Sequence, residues 1–459
     1  MRDEQSLNST KPAPANALFY GFLALLIWAP LPLASARPWS AMLLFAGTCV
    51  LVCAWLWRFC FGLQPIPTAC KKAWPIFVLL GFSQCVISYQ AFFGFNIDHN
   101  AATHTALMGW AYSFIFALCL LLIDSKTRIK QTAYVLVGSA LFQALFGSFM
   151  MLSGIEYLLL VPKDSYLGVA TGTFVNRNSQ SGYLVMCASI GIGLMLSTLA
   201  SSGAGSLREH IRRWVKAILS QKIVLRLSLV MIVAGLVMTH SRMGNTSFFA
   251  SLLIISPLAL LLTRFNKKAR RKGKKQASLW GMLLLLASLV VIDVAVVGTF
   301  FGVDKVAQRL QATSEQSETR DEVVQNAAPL IAEGLIGGLG GGSFYTAFPQ
   351  VRTYDIGRSF YHLAHNDYVQ FVMEFGLLGA LPLGLVALII FVCGLTAQLK
   401  RGDKLLRGMG FGAAMAILAM AIHATVDFNL QMPANAATFM VVLALGWLAM
   451  FYPSGERSG

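Results

Sequence analysis

The segment Phe375-Gly376-Leu377-Leu378-Gly379-Ala380-Leu381-Pro382-Leu383-Gly384-Leu385-Val386-Ala387-Leu388-Ile389-Ile390-Phe391-Val392-Cys393-Gly394-Leu395-Thr396-Ala397 runs for 23 residues without a charged side chain. A helix needs about 20 such residues to cross ~30 Å of hydrocarbon. A core helix of that length in a water-soluble protein would carry a charged face, and this stretch has none. It reads as the middle of a membrane span over 366–396.

Eleven further runs of the same kind lie near 18–34, 40–57, 73–90, 104–123, 131–152, 180–200, 223–239, 246–263, 279–301, 407–424 and 436–452. The first is short and holds Pro30 and Pro32, so an irregular end is expected. Composition agrees. Of 459 residues, 56% are hydrophobic and only 12% charged, against about one quarter charged in a soluble domain. That excludes a disordered chain, a collagen-like chain and a conventional cytosolic enzyme. The expected fold is an all-α polytopic membrane protein of about 12 transmembrane helices. Spans one to nine occupy 1–301, a larger outer loop 302–365, and spans ten to twelve 366–459.

The net charge is +16, and its placement is informative. The N-terminus, loops 58–72, 124–130, 201–222, 264–278 and 397–407, Arg226 and the C-terminus hold 27 of the 36 Lys and Arg residues. Retained basic loops are cytoplasmic. Both termini are therefore expected inside, and the basic run 267–275 reads as a topology anchor, so no nucleic-acid partner is needed to explain it. Lys11, the apolar run after it and Ala34-Ser35-Ala36 also resemble a signal peptide with its cleavage site. Cleavage there would leave the downstream orientation unchanged. All eight cysteines fall in spans or on the cytoplasmic side, so no disulfide framework is expected.

Nine basic residues remain outside: Arg37, Lys163, Arg177, Arg242, Lys305, Arg309, Arg320, Arg352 and Arg358. Each works against the orientation signal. Arg242 sits in the tight turn Thr239-His240-Ser241-Arg242-Met243-Gly244-Asn245, where it is either a snorkelling interface arginine or a rigidly held anion ligand. Arg177 and Asn178 close Thr171-Gly172-Thr173-Phe174-Val175-Asn176-Arg177-Asn178, a donor-rich start to the sixth span or a plain N-cap. Thr319-Arg320-Asp321-Glu322 has the capping-box pattern. A short amphipathic surface helix should follow it, using Val323, Val324, Ala327, Leu330 and Ile331, with Pro329 bending it. Six glycines between Gly334 and Gly342 can cradle an anion on backbone N–H groups or serve as a hinge. They lack the ending of a phosphate-binding P-loop.

Tyr361-His362-Leu363-Ala364-His365-Asn366-Asp367-Tyr368 leads into span ten. His362 and His365 alone are a weak metal pair without a third ligand, so no metal and no cofactor is assigned. An imidazole general base suits His365 better. Glu374 is an acid in an apolar run and needs a partner or an aqueous cavity. His423, Asp427 and Asn429 form another outer polar group, and Asp293 inside span nine is a lesser candidate. Arg177, Arg242, Arg320, His365 and Asp427 thus share one face of the membrane. A lipid-linked pyrophosphate would fit a cavity lined by such cations.

On these residues the chain resembles the bacterial O-antigen ligase and O-antigen-polymerase-like family. The resemblance rests on Gly172–Asn178, on Ser241-Arg242-Met243-Gly244, on Arg320 ahead of the glycine-rich segment, and on His365-Asn366-Asp367-Tyr368 with Glu374-Phe375-Gly376-Leu377-Leu378-Gly379. It covers roughly residues 171–380. The family more often has Ser-Arg-Gly at the second element. The resemblance implies a metal-independent, inverting glycosyltransferase of the GT-C type in the bacterial inner membrane, with its active site periplasmic. The implied donor is a glycan on undecaprenyl diphosphate. The implied acceptor is another glycan or lipid A-core, with polysaccharide-assembly proteins as candidate partners beside the membrane lipids. Arg242 and Arg320 would engage the pyrophosphate and His365 would be the catalytic base or would orient the acceptor. Arg177, Asn178, Asn366, Glu374, His423 and Asp427 would bind substrate. A transporter or flippase of a lipid-linked glycan and a protein O-oligosaccharyltransferase are the alternatives.

Overall fold

The computed structural model describes residues 16–94, 96–198, 221–266, 322–353 and 361–453. The ninth apolar run, Asp293, the capping box and Arg320 lie outside the described residues. Among the described residues the regular structure is helical apart from two paired two-residue strands, Tyr157–Leu158 against Val161–Pro162. The helices are α1 Asn16–Trp28, α2 Pro38–Cys60, α3 Thr68–Lys71, α4 Trp74–Phe92, α5 His99–Leu122, α6 Lys126–Ser153, α7 Arg177–Thr198, α8 Gln221–Met238, α9 Arg242–Arg264, α10 Ala328–Glu333, α11 Phe344–Val351, α12 Asp367–Lys400, α13 Lys404–His423 and α14 Pro433–Phe451. Among the described residues, nine of these are long and apolar enough to cross a membrane. The protein is an all-α polytopic membrane protein. Each of the eleven apolar runs that falls in described chain is a helix. The first differs from expectation: α1 is only 13 residues long, and a 3-10 turn at Leu33–Ser35 follows the two prolines.

Three helices form the centre. In α7 and α14, 83% of the apolar window is buried, against 28% in α2. Lipid tails are as apolar as leucine, so close backbone approach must supply the cohesion. A Cβ on Gly193 of α7 would stand 2.2 Å from the Gly408 carbonyl of α13, and one on Gly412 would stand 2.6 Å from the Ser189 carbonyl. Only glycine permits that crossing.

The two ends of the bundle differ in charge. At one end Lys126 pairs with Asp403 at 2.7 Å and Arg128 with Asp124 at 3.0 Å. Asn266 there donates to the Gln398 carbonyl and Trp447 to the Ala69 carbonyl. This end also carries Arg58, Lys71, Lys72, Arg264, Lys400 and Arg407. The opposite end gathers, among the described residues, the 30–37, 96–98, 154–177, 239–242, 334–353, 361–367 and 424–432 connections, and with them Arg177, Arg242 and His365.

The long helix α12 is broken where the sequence predicted an unbroken span. Gly376 has φ 66° and ψ 177°, a conformation available essentially to glycine alone. The glycine-rich segment fills the break. Leu339 N–H donates to the Met373 carbonyl and Gly340 N–H to the Glu374 carbonyl, while Leu377 N–H donates to the Leu335 carbonyl. The segment is thus a strap that satisfies the broken helix, and these N–H groups are spent inside the protein instead of cradling an anion. A Cβ at Gly376 would stand 2.2 Å from the Ile336 carbonyl oxygen. Gly376→Ala is therefore expected to destabilise the fold by at least about 1–3 kcal/mol, read as an earlier thermal unfolding transition in detergent. Gly384→Ala on the same helix has nothing within 4 Å of its new Cβ and should unfold no earlier than the parent. Equal midpoints for Gly376→Ala and the parent would contradict the strap.

Candidate active site

Two of the predicted arginines begin helices. Arg177 opens α7 and Arg242 opens α9. A helix N-terminus carries partial positive charge, so a cation there opposes the macrodipole. The arrangement suits an anion that both the cation and the terminal N–H groups can meet. Each arginine is held by local chemistry. Ser241 caps α9, its hydroxyl accepting from Gly244 N–H at 3.2 Å. Ser241 N–H in turn donates to the Thr239 hydroxyl at 3.1 Å. Arg242 itself is exposed at the surface of the turn. Gly244 must be glycine, because a Cβ there would stand 2.3 Å from the Ser181 hydroxyl of α7. The turn bearing Arg242 is thereby clasped against the first turns of the helix that starts at Arg177. The Arg177 guanidinium lies 5.7 Å over the Tyr166 ring, and Asn176 accepts from Asn178 N–H at 2.7 Å. Lys163 is different: it is buried against Glu156 at 2.5 Å and is a structural ion pair.

The same end carries the imidazole. His365 has φ 51°, a left-handed backbone that costs a non-glycine residue on the order of 1–3 kcal/mol and clusters at functional sites. Its ring meets Phe428 edge-on at 4.8 Å and Tyr361 at 6.1 Å. Asn366 follows as the N-cap of α12, accepting from Tyr368 and Val369 N–H and donating to the Thr425 carbonyl at 3.0 Å. Asp367 N–H donates to the Ala424 and Asp427 carbonyls, and its carboxylate accepts from Leu430 N–H at 3.1 Å. Those bonds dock the His365 loop onto the 424–431 turn. That turn reaches α7: a Cβ on Gly182 would stand 2.2 Å from Asn429 Oδ1, and Asn435 Nδ2 bridges the Ser179 carbonyl and Asn429 Oδ1. One connected scaffold therefore joins Arg242, Arg177, Asn178, Asp427, Asn366 and His365.

Of the remaining predicted residues, His423 and Asp427 are almost wholly buried, at the end of α13 and in the turn after it. Glu374 is fully buried; it accepts from Gln370 Nε2 at 3.0 Å and from Phe344 N–H at 3.3 Å. It secures the strap to α12 and lies inside the protein. His362 packs on a different ring from those that meet His365. It is exposed and stacks on Tyr345 with ring centroids 5.4 Å apart, and among the described residues no three His, Cys, Asp or Glu side chains converge as a metal site.

Two positioning elements were not anticipated. Gln370 accepts from Ala364 N–H at 3.0 Å while donating to Glu374, so it ties the loop carrying His365 to the strap. Its i,i+4 spacing from Glu374 was the available signal. Behind Arg177, Gln143 accepts from Thr173 N–H at 2.9 Å and its backbone carbonyl accepts from Gln180. A buried glutamine in the fifth apolar run was the corresponding clue.

Residues 227–384 match the family model of O-antigen ligase. The match supports an O-antigen ligase/polymerase-like family and that general type of activity, a glycosyltransferase-like ligase in a multi-pass membrane protein. It contains Arg242, Arg320, the strap, His365, Asn366 and Glu374, whereas Arg177, Asn178, His423 and Asp427 fall outside it. No curated protein matches the chain.

Proposed function

We propose that the protein transfers a glycan from undecaprenyl diphosphate to a sugar hydroxyl at the periplasmic face of the bacterial inner membrane, extending a polysaccharide or attaching it to lipid A-core. The observation that carries this reading is the clasped pair of helix starts, Arg177 and Arg242, on the same scaffold as the strained His365. The basic connections at the opposite end support a cytoplasmic position for that end, and with it a periplasmic site and both termini inside.

In this reading the acceptor oxygen attacks the anomeric carbon as the bond from that carbon to the diphosphate oxygen breaks, with inversion. His365 takes the acceptor proton. The electron pair leaves with undecaprenyl diphosphate, and Arg242, Arg177 and Arg320 carry its charge in place of a divalent metal. Arg320 is assigned from the sequence. No nucleotide enters, because the donor is already activated. Asp427, His423, Asn178 and Asn366 shape the acceptor side, and Glu374 holds the floor beneath it through Gln370.

Deleting the gene tests the reading. Glycan should accumulate on the lipid carrier, as single repeat units if the protein polymerises and as full-length chains if it ligates. Polymerisation is our first choice between the two. An unchanged pool of lipid-linked glycan would overturn both.

A further inference from the structure

A cavity of about 560 Å³ opens next to the helix start that follows His365. Asp367, Tyr368 and Gln431 line it near the functional end, and it runs between α4, α5, α12, α13 and α14 to Tyr112 and Leu443, roughly half-way along their helices. Its wall is overwhelmingly apolar and includes no Lys or Arg. The polar exceptions, among them His104, Thr105 and Ser113, include hydrogen-bond donors as well as acceptors. Gln84 is only 4% exposed and sits on this wall, and its Oε1 has no hydrogen-bond partner. Gly109 is the residue that admits Gln84: a Cβ there would stand 2.2 Å from Gln84 Oε1.

A buried carbonyl oxygen without a partner costs about 1–3 kcal/mol, which a ligand O–H or N–H recovers. The same oxygen is an acceptor, and with no Lys or Arg on the wall nothing there would balance the charge of a diphosphate in so apolar a setting. Pockets of this size take a drug-sized or single-chain amphiphile.

We infer that this cavity binds the hydrocarbon chain of a second lipid, one whose uncharged head donates hydrogen bonds, separate from the anionic carrier held by the arginines. The inference does not depend on the catalytic role of His365.

Gly384 supplies the test, since it lines the cavity and a Cβ there meets nothing within 4 Å. Gly384→Phe fills the space on a helix that tolerates a side chain. The probe is a monoacylglycerol with a photoreactive diazirine in its chain, added to the full-length protein in phosphatidylcholine nanodiscs. Labelling should map to Met108, Tyr112 or Met440 and be lost in Gly384→Phe. It should fall about 3- to 10-fold in Gln84→Leu, the change expected for one hydrogen bond. A polyprenyl diphosphate bearing the same diazirine should label elsewhere and be unaffected by Gly384→Phe. Labelling by monoacylglycerol that is equal in Gly384→Phe and the parent would overturn the inference. So would capture of the polyprenyl diphosphate by these residues in place of the monoacylglycerol. If glycan transfer persists while monoacylglycerol labelling is absent, this inference alone falls. If labelling is intact and transfer absent, the catalytic reading alone falls.

Discussion

His365→Asn is expected to lower the turnover of glycan transfer by about 10²- to 10⁴-fold, the usual contribution of a positioned general base. Asparagine is the informative replacement. Residue 365 sits at φ 51°, and asparagine tolerates that left-handed backbone better than alanine does. The loop should therefore keep its docking bonds from Asn366 to the Thr425 carbonyl and from Asp367 to Ala424. Folding is checked by thermal unfolding in detergent, and donor affinity should be nearly unchanged, because the arginines are intact. A variant that keeps full turnover would remove His365 from the chemistry. One that loses donor affinity and turnover together would make it a binding residue.

Arg242→Ala should cost about 10²–10³-fold in kcat/KM, the magnitude seen when a donor aimed at developing transition-state charge is deleted. Arg242→Lys should recover only part of it. Lysine restores a point charge but not the planar fork that grips two phosphate oxygens. The residue is exposed at the first position of its helix, and the Ser241 cap and Gly244 contact that fix the turn do not use its side chain. Stability should thus be unchanged or slightly raised once a cation is removed from a helix N-terminus. The measurement is the donor-concentration dependence of transfer. Parent-like kinetics in Arg242→Ala would detach the guanidinium from the donor.

The helices were legible because apolar length is a local property: α2, α4 to α9 and α12 to α14 lie where the uncharged runs are. The grouping of Arg177, Arg242 and His365 at one end was legible too, since loop charge alternates along the chain. What escaped the sequence depends on contacts between distant residues. The break at Gly376 exists because residues 335–340 stand ready to satisfy it, and nothing between 366 and 396 announces that partner. Glu374 looked like a site acid since an acid in an apolar run must be satisfied. One of its carboxylate oxygens accepts from Gln370 and from the Phe344 amide, the second reached only through the fold. The glycines of 334–342 have the composition of an anion loop, yet their pairing with α12 shows a structural strap. The shortness of α1 follows from Pro30 and Pro32, which the sequence did flag.

A transporter of the same lipid-linked glycan would place its charged groups about the bilayer midplane, whereas here Arg177 and Arg242 stand at helix starts at one end of the bundle. Chemistry separates the two most directly. The purified protein, given undecaprenyl-diphosphate-linked glycan and an acceptor in detergent with EDTA and without ATP, should release undecaprenyl diphosphate in step with glycan growth, and His365→Asn and Arg242→Ala should not. Absence of release by the parent protein, dependence on added metal or ATP, or full turnover in both variants would contradict the arginine-and-imidazole site.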